Sequence, residues 1–373
     1  MRHDHLFIGG QWVESESGEV YTRRDPATGN VVSRHDRATR AEAERAITAA
    51  REAFDHGPWP HMGAAARGDV LRRAAAELRE RTDELARLIT LETGKPIAQA
   101  RGEIQTTANL FDHFTHLALE AHGESYAISG TYDALVAREP VGVVAAIVPW
   151  NFPIMMLAFK LAPALAAGNS VIFKPSSNCV LSTVKMFEIF EKAGMPKGSV
   201  NLILGPGGSV GSAIAAHPGI SMVTFTGSTA VGQDIMRCAA ANVKKIGLEL
   251  GGKSPNIIFA DADLEGAVEW AMIGIFFNQG EVCSAGSRIL IEESFKETFL
   301  RRLVERTNAI TLGNPLNNPD MGPMVSESQM NDVLGFIRKG VEEGATLVCG
   351  GARYTEGECA KGYFVQPTIF DNC

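Results

Sequence analysis

The hydrophobic positions in the first part of the chain repeat at helical spacing. A Thr-x-x-Glu capping box precedes one such run, in which Thr39 and Glu42 are followed by apolar residues three or four positions apart, namely Ala43, Ala46, Ile47, Ala50 and Phe54. A second run extends from about residue 65 to residue 91 and is followed by Gly94 and Pro96, which are helix stop signals. With a short strand pair around residues 7–13, this pattern predicts a helix-rich start.

From residue 141 onward, short β-branched runs alternate with helical segments. The predicted strands of this part are 141–148, 171–173, 200–204 and 222–225. Alternation of this kind is typical of βαβ units and a parallel sheet. A strand at 256–259, a helix at 265–277, a strand at 288–291, a helix from 294 and a strand-like run at 364–369 predict a second α/β unit.

A β-hairpin is predicted between these regions. Two alternating runs, 124–128 and 134–139, flank Ser-Gly-Thr-Tyr-Asp, a sequence rich in turn-forming residues. Such a hairpin either packs on the body of the protein or projects toward a partner.

Length and charge narrow the class of protein. A chain of 373 residues is too long for a single core, so two or more folding units are expected. The formal net charge of -8 disfavours nucleic acid and anionic membranes as partners, because both require clustered Lys and Arg. The longest apolar stretch, 141–173, is broken by prolines and by Lys160, so no membrane span is predicted. The polar N-terminus has no signal-peptide core, and a cytoplasmic protein is expected.

The cysteines are widely scattered, at positions Cys179, Cys238, Cys283, Cys349, Cys359 and Cys373. Neither a Cys-x-x-Cys pair nor a zinc-type Cys/His spacing is present, so no metal site is predicted. Most of these residues are expected to be free, buried thiols.

Cys283 is the exception, because it follows a glycine-containing turn between a predicted helix and a predicted strand. Its small neighbours, Ser284, Ala285 and Gly286, leave the sulfur accessible, as a nucleophile requires. Buried filler remains the alternative interpretation for this cysteine when it is taken alone.

Two further segments supply groups that a thiol nucleophile needs. Glu249 lies between two leucines at the end of a predicted strand, where partial desolvation would make it a better general base. Asn151 lies between Pro149 and Pro153, whose rings stiffen the backbone around an amide that can donate to an oxyanion. A structural carboxylate and an ordinary Asx turn are the alternatives.

A cofactor turn is predicted where a strand, a glycine turn and a helix start follow one another. Gly227 and Gly232 form a Gly-x-x-x-x-Gly spacing, and Ser228 or Thr229 can cap the helix while free amides face a phosphate. The spacing lacks the P-loop lysine and is not the usual Rossmann fingerprint. The segment 205–211, with Gly207, also misses that fingerprint and is either a turn in the same cleft or a plain loop.

Together, these four segments in this order resemble the aldehyde dehydrogenase superfamily over essentially the whole chain. The resemblance implies an α/β fold with two α/β domains, parallel-rich sheets and a protruding β-hairpin for oligomerisation. It implies a dinucleotide-binding domain at 1–120 and 140–250, an oligomerisation hairpin at 121–139, and a catalytic domain at 251–373.

The resemblance also implies roles for individual residues. Cys283 is the nucleophile, Glu249 the general base, Asn151 with the Cys283 amide the oxyanion hole, and Lys160 part of a proton relay. Lys174 binds the adenosine ribose, and Trp150, Gly227, Ser228 and Gly232 match other cofactor contacts. Ser177 and Gly207 are further candidate cofactor contacts, although they do not match a family motif. The reaction would be NAD(P)-dependent oxidation of an aldehyde to a carboxylic acid through a thioester, and the glutamate favours hydrolysis over transfer to coenzyme A.

Two departures from the family pattern bear on specificity. Many NAD-preferring members have a glutamate three residues after the ribose lysine, whereas this chain has Ser177, so NAD or NADP is expected as cofactor, with NADP either accepted or preferred. On the substrate side the family position places Phe152, Met155, Met156 and Phe159 on the tunnel, although such a stripe is more often core. Phe159 replaces a tryptophan that is common in betaine aldehyde enzymes, so a hydrophobic aldehyde is expected instead.

A third departure concerns the end of the chain, which precedes the family's Glu-x-Phe-Gly-Pro segment and the strand that pairs across subunits. A homodimer or homotetramer is expected where that region is present. A truncated, non-catalytic family member with a structural role is the main alternative, and an acyl-transferring, coenzyme-A-dependent dehydrogenase is the second.

Overall fold

A computed structural model of the chain describes residues 3–130 and 132–373. Thr131, at the tip of the predicted hairpin, and Met1 and Arg2, in the predicted first domain, lie outside the described residues. No helix in the described part of the chain is long and apolar enough to cross a membrane.

The described strands are numbered in chain order as β1 His3–Asp4, β2 Leu6–Ile8, β3 Gln11–Val13, β4 Val20–Arg24, β5 Val31–Asp36, β6 Glu124–Ser129, β7 Tyr132–Val136, β8 Val143–Ile147, β9 Ser170–Lys174, β10 Val200–Leu202, β11 Met222–Gly227, β12 Lys245–Leu250, β13 Pro255–Ile258, β14 Arg288–Ile291, β15 Thr346–Cys349 and β16 Ile369–Asp371. The α-helices are α1 Arg40–Asp55, α2 Ala64–Glu80, α3 Thr82–Thr93, α4 Ile97–Leu119, α5 Pro153–Ala166, α6 Leu181–Lys192, α7 Ser212–Ala216, α8 Thr229–Ala239, α9 Leu264–Phe276, α10 Glu293–Asn308 and α11 Glu327–Glu342.

The chain divides into two compact units. The first comprises the part up to Tyr21 together with Arg34–Leu85 and Gly102–Glu249, and the second comprises Thr22–Ser33, Ala86–Arg101 and Leu250–Cys373. The division expected from the sequence stays a prediction. The units differ from it in placing 22–33 and 86–101 with the C-terminal segment, because Arg23 and the turn at Gly94 pack against residues 323–325.

Unit 1 is built on a seven-stranded sheet in the order β12-β11-β8-β9-β10-β2-β3. The strand pairs β11–β8, β8–β9 and β9–β10 are parallel, as the alternation of strands and helices predicts. Val143–Ala146 of β8 are fully buried, and helices α1 and α5 pack against this strand. The chain runs from β8 to β9 and β10 on one side, and then crosses to β11 and β12 on the other side of β8.

The predicted helical start forms with one difference. The Thr39 and Glu42 capping box is present at the start of α1, and the strand pair at residues 6–13 is antiparallel. The single helix expected over 65–91 is instead two helices, α2 and α3, separated at Arg81. The Thr82 hydroxyl donates to the Arg79 carbonyl at 2.8 Å, and a hydroxyl that bonds to the backbone in this way competes with a continuous helix.

The hairpin β6–β7 is antiparallel and pairs Tyr126 with Ala134, as the sequence predicts. Several of its large apolar side chains are exposed, including Ile128, Tyr132 and Leu135.

Unit 2 holds a parallel pair, β13–β14, and an antiparallel pair, β15–β16. One core cluster joins Ile258 to α9 and α10, and a second joins Met324, Met330, Ile337 and Val365. The strand expected at 364–369 is wrong for most of its length, because β16 begins only at Ile369. Pro367 has no backbone N–H for a ladder, and Val365 makes only an isolated bridge to Arg353.

Candidate active site

The residues predicted for the site in unit 1 follow the carboxyl ends of neighbouring strands. Asn151 follows β8, Lys174 ends β9, Gly227 ends β11, and Glu249 is the penultimate residue of β12. Because the chain order reverses direction beside β8, the carboxyl ends of β8 and β11 flank a topological switch point. In open α/β sheets this is where ligands bind.

The segment after β8 is fixed at the start of α5. Phe152 is the N-cap and Pro153 the first helical residue. The buried carboxylate of Glu103 accepts hydrogen bonds from the backbone N–H groups of Ile154 and Met155, at 3.1 and 3.2 Å. Sequence reasoning missed Glu103, since nothing local links helix α4 to this turn. Trp150 and Asn151 are half-buried immediately before the capped turn.

Lys160 lies in α5, seven residues after Pro153, and is buried. Burial lowers the pKa of Lys160, and the negative charge of nearby Glu249 partly opposes that shift. The two groups expected to handle protons are therefore electrostatic neighbours within unit 1.

The expected partial desolvation of Glu249 is wrong for this chain, because its side chain is exposed. The flanking Leu248 and Leu250 are half-buried, but neighbours in a strand point to the opposite face and do not cover the carboxylate.

The four apolar residues expected on the substrate tunnel differ in exposure. Phe152 is buried, Met155 and Met156 are half-buried, and Phe159 is 44% exposed. The stripe is therefore not simply core, since its last member offers an aromatic face to solvent.

The turn between β11 and α8 has the features of an anion site. The Ser228 hydroxyl caps α8 by accepting from the Val231 N–H at 3.4 Å, which leaves other first-turn amides available. A Cβ on Gly227 would lie 2.4 Å from the Phe225 ring, so only glycine fits without a shift. Gly232 is buried in the first turn and donates to the Ser228 carbonyl at 3.0 Å. This turn fits a cofactor phosphate.

Lys174 is buried at the end of β9, where its ammonium donates to the Pro175 carbonyl at 3.2 Å. Burial lowers the pKa of Lys174 to about 8, with an opposing effect from Cys179. Ser177 is half-buried three residues later. Gly207 begins a five-residue turn, Gly207–Gly211, and a Cβ there would meet nothing within 4 Å. Gly211 lies against the aliphatic part of Lys174, so the two segments adjoin.

Cys283 lies in unit 2 and is exposed, as the sequence predicts. The broader expectation of mostly buried thiols is wrong, because only Cys179 and Cys359 are buried. The loop before Cys283 contains three consecutive residues in the left-handed region, Asn278, Gln279 and Gly280. Left-handed backbone is costly for residues other than glycine and persists where the surroundings hold it.

Hydrogen bonds to other segments of unit 2 hold this loop. Gln99 accepts from the Asn278 N–H at 3.0 Å, and the Gln279 side chain donates to the Pro323 carbonyl at 3.2 Å. A Cβ on Gly252, in the loop between β12 and β13, would lie 3.1 Å from the Cys283 carbonyl oxygen, so this loop packs tightly against the backbone of Cys283.

A fully buried carboxylate, Glu281, lies two residues before the nucleophile. Burial raises the pKa of Glu281 to about 8, although a hydrogen bond from the Val325 N–H and the charges of Lys95 and Arg23 act in the opposite direction. Arg23 is itself buried and donates to the Glu92 and Val325 carbonyls, the latter at 2.7 Å. Sequence reasoning missed this network. The sequence feature that could have indicated this network is Glu281 itself, a charged residue among the small residues around Cys283.

Comparisons with known proteins show which family the chain resembles. The sequence profile of the aldehyde dehydrogenase family matches residues 12–373. The chain is 42% identical to betaine aldehyde dehydrogenase of Bacillus subtilis (strain 168), over 99% of this chain and 76% of that protein. It is 43% identical to retinal dehydrogenase 2 of Gallus gallus, over 100% of this chain and 72% of that protein.

Solved structures agree as well. A point mutant of betaine aldehyde dehydrogenase from Staphylococcus aureus, in complex with NAD+ and with a BME-modified cysteine, superimposes with a TM-score of 0.97. It is 41% identical, and the match covers 99% of this chain and 76% of that one. The chain belongs to the aldehyde dehydrogenase family, whose members are oxidoreductases.

Proposed function

We propose that this chain oxidises an apolar aldehyde to the free carboxylic acid, with Cys283 as nucleophile and Glu249 as general base. The observation that carries the proposal is the grouping of Asn151, Lys174, Gly227 and Glu249 at the carboxyl ends of adjacent strands around the switch point. The accessible thiol of Cys283, on a loop held from several sides, supplies the nucleophile that these groups lack.

In the proposed reaction each residue has one task. The Cys283 thiolate attacks the aldehyde carbon, and the Asn151 amide with the Cys283 N–H stabilises the resulting oxyanion. When bound, the nicotinamide cofactor accepts the hydride that leaves this carbon, so that a thioester remains on the sulfur. Glu249 then removes a proton from water, which hydrolyses the thioester, and Lys160 relays protons beside it.

The first experiment measures reduced-cofactor absorbance and acid product with a panel of aldehydes. Cys283→Ala should lower turnover by at least about 10³-fold, because loss of a nucleophile elsewhere costs that much or more. Cys238→Ala, a half-buried thiol, is the matched control and should keep parental turnover. Unchanged turnover in Cys283→Ala would overturn the proposal. A product that forms only with coenzyme A would instead favour the acyl-transferring alternative.

We propose that both NAD and NADP bind, with NADP accepted because Ser177 brings no negative charge near the ribose. The NAD+ complex of the Staphylococcus aureus relative supports the dinucleotide class. Ser177→Glu should lower kcat/KM for NADP relative to NAD by about tenfold or more, which corresponds to about 1.4 kcal/mol of repulsion. Ser177→Gln has nearly the same shape without the charge and should leave the ratio near that of the parent. A parent enzyme with a strong NAD preference would contradict this proposal.

For the substrate, we propose an uncharged, hydrophobic aldehyde. The exposed Phe159 ring and the half-buried Met155 and Met156 offer apolar surface, and the 43% identical relative is named a retinal dehydrogenase. The direct comparison uses betaine aldehyde and its neutral isostere 3,3-dimethylbutanal, which differ in charge at almost equal shape. The isostere should have the higher kcat/KM.

The reciprocal variant tests the role of Phe159. Phe159→Trp should improve betaine aldehyde relative to the isostere by roughly 2- to 30-fold, because tryptophan binds cations more strongly, by about 0.5–2 kcal/mol. Phe159→Leu is the control without a ring and should shift the ratio the other way. A parent that prefers betaine aldehyde would refute the substrate assignment.

We further propose that the hairpin β6–β7 mediates self-association. Ile128 is 67% exposed and Leu135 is 80% exposed. Exposed apolar surface of this kind marks protein–protein interaction sites. Leu135→Asp should lower the mass measured by light scattering, while Ser125→Asp, on the paired position, should have a smaller effect. A parent that is monomeric at all concentrations would contradict the proposal.

A further inference from the structure

Two histidines near the start of the described chain lie beside a buried carboxylate in unit 1. His3 is in β1, which pairs in parallel with β5, the strand that ends at Asp36. In extended backbone, alternate residues point to the same face, so His3 and His5 share a face and Asp4 points away. The pairing brings Asp36 to that shared face.

The donor atoms converge. His3 Nε2 lies 2.7 Å from Asp36 Oδ1, and His5 Nδ1 lies 3.0 Å from Asp36 Oδ2. One ligand atom from each residue lies within 4.8 Å of the others. The Asp36 side chain is 6% exposed, whereas those of His3 and His5 are 43% and 30% exposed. The cluster therefore has a buried base and a side that is open to solvent.

A hydrogen bond from the backbone fixes the orientation of the Asp36 carboxylate. The Ser15 N–H donates to Asp36 Oδ2 at 3.0 Å. The Ser15 hydroxyl in turn donates to Glu42, the capping residue of α1, at 3.1 Å. Hydrogen bonds that fix a ligating carboxylate in this way are usual around protein metal sites.

The charge balance leaves room for a cation. Within residues 3–130 and 132–373, the ion-pair partners of Asp36 are His3 and His5, and neither Lys nor Arg is among them. A buried carboxylate is ordinarily stabilised by a positively charged partner. A divalent cation would supply that charge and would use the same two ring nitrogens as ligands.

We propose that His3, His5 and Asp36 form a binding site for a divalent transition metal ion of the Zn²⁺ type, a site that is separate from the aldehyde chemistry. Two imidazoles and one carboxylate favour Zn²⁺, Co²⁺ or Ni²⁺ over Mg²⁺ and Ca²⁺, which prefer all-oxygen ligands. Bonds of about 2.0–2.2 Å would place the ligand atoms a little over 3 Å apart, which the exposed histidines can reach by small rotations. The bound ion would fasten β1 to β5.

The prediction of no metal site is based on the spacing of cysteines and histidines along the chain. The spacing does not reveal these ligands, because they are a His-x-His pair around the end of β1 and an aspartate that follows His5 by 31 residues.

The test titrates metal-stripped protein with Co²⁺ and follows visible absorption at pH 7.5. A histidine and carboxylate site gives ligand-field bands without the sulfur charge-transfer band that cysteine binding would add. The parent should bind one equivalent, and His3→Gln and His5→Ala should each lose at least about tenfold in affinity. His61→Ala, a histidine outside the cluster, is the matched control and should bind as the parent does.

A second measurement uses thermal stability instead of visible absorption. Zn²⁺ at saturating concentration should raise the Tm of the parent and of His61→Ala, but not that of His5→Ala, because a ligand that binds only the folded state stabilises it. His3→Gln alters an exposed side chain and should still fold. Absence of binding in the parent, or an affinity in His3→Gln and His5→Ala equal to that of the parent, would overturn the proposal and leave the histidines as hydrogen-bond partners of Asp36.

Discussion

The two units position their chemical groups in different ways. In unit 1 the groups are placed by sheet topology, since Asn151, Lys174 and Gly227 each follow the carboxyl end of a parallel strand. In unit 2 the loop before Cys283 is held by hydrogen bonds to distant segments, namely to the Gln99 side chain, the Pro323 carbonyl and the Val325 N–H. The positions of the groups in unit 1 therefore depend on the hydrophobic pattern of the strands. The position of the Cys283 loop in unit 2 depends on buried polar and charged residues.

The difference indicates where each unit is sensitive to mutation. A parallel sheet tolerates exchange of one apolar residue for another of similar volume. A buried network of charged groups does not tolerate the loss of one member, because the remaining groups are left without partners. The nucleophile loop should therefore be the more easily broken of the two.

The largest effect is expected from Arg23→Met, which removes the donor to the Glu92 and Val325 carbonyls and a cation near Glu281. Breaking a buried charged network of this kind costs about 3–5 kcal/mol in the free energy of unfolding. Arg24→Met, on the exposed neighbouring residue, is the matched control and should change little. Urea unfolding followed by fluorescence measures both. Equal effects of the two variants would show that the network does not hold unit 2.

A smaller effect is expected in unit 1 from Gly227→Ala. The added Cβ would lie 2.4 Å from the Phe225 ring, and overpacking of this kind costs about 1–3 kcal/mol. The same variant should raise KM for the cofactor. Gly102→Ala, in helix α4, adds a Cβ that meets nothing within 4 Å and is the control for both readouts. If Gly102→Ala proved as damaging as Gly227→Ala, the close approach at Phe225 would not be the cause.

Per pH unit, the smallest effect is a pH dependence from Glu281. Because burial raises the pKa of Glu281 to about 8, the folded state holds a proton that the unfolded state releases above about pH 4.5. The stability from this proton is complete below pH 4.5 and is lost as the pH rises toward 8, at no more than about 1.4 kcal/mol per pH unit. Glu281→Gln should remove this slope between pH 5 and 8, as denaturant unfolding at several pH values would show. An unchanged slope would mean that Glu281 is ionised throughout.

The sequence predicts the parallel strands and the turns that follow them, because alternating β-branched runs and glycine turns are local signals. Val143–Ala146 form a buried strand as expected, and Ser228 caps α8. The capping box at Thr39 and Glu42 is equally local and is confirmed.

The remaining features depend on contacts that are distant in the sequence. Arg23 is 258 positions before Glu281 in the chain, so neither residue predicts the other. Glu249 was expected to be desolvated by its leucine neighbours, yet strand geometry turns those leucines to the other face. Three left-handed residues before Cys283 are likewise held by tertiary hydrogen bonds rather than by their own preferences.

The central claim is that Cys283 carries the acyl group and Glu249 releases it. The most direct measurement is the intact mass of Glu249→Gln after incubation with aldehyde and NADP, followed by peptide mapping. The account predicts a mass increase equal to one acyl group, located on Cys283 and absent from the Glu249→Gln/Cys283→Ala double variant. An acyl group on another residue, or undiminished release of free acid by Glu249→Gln, would contradict it.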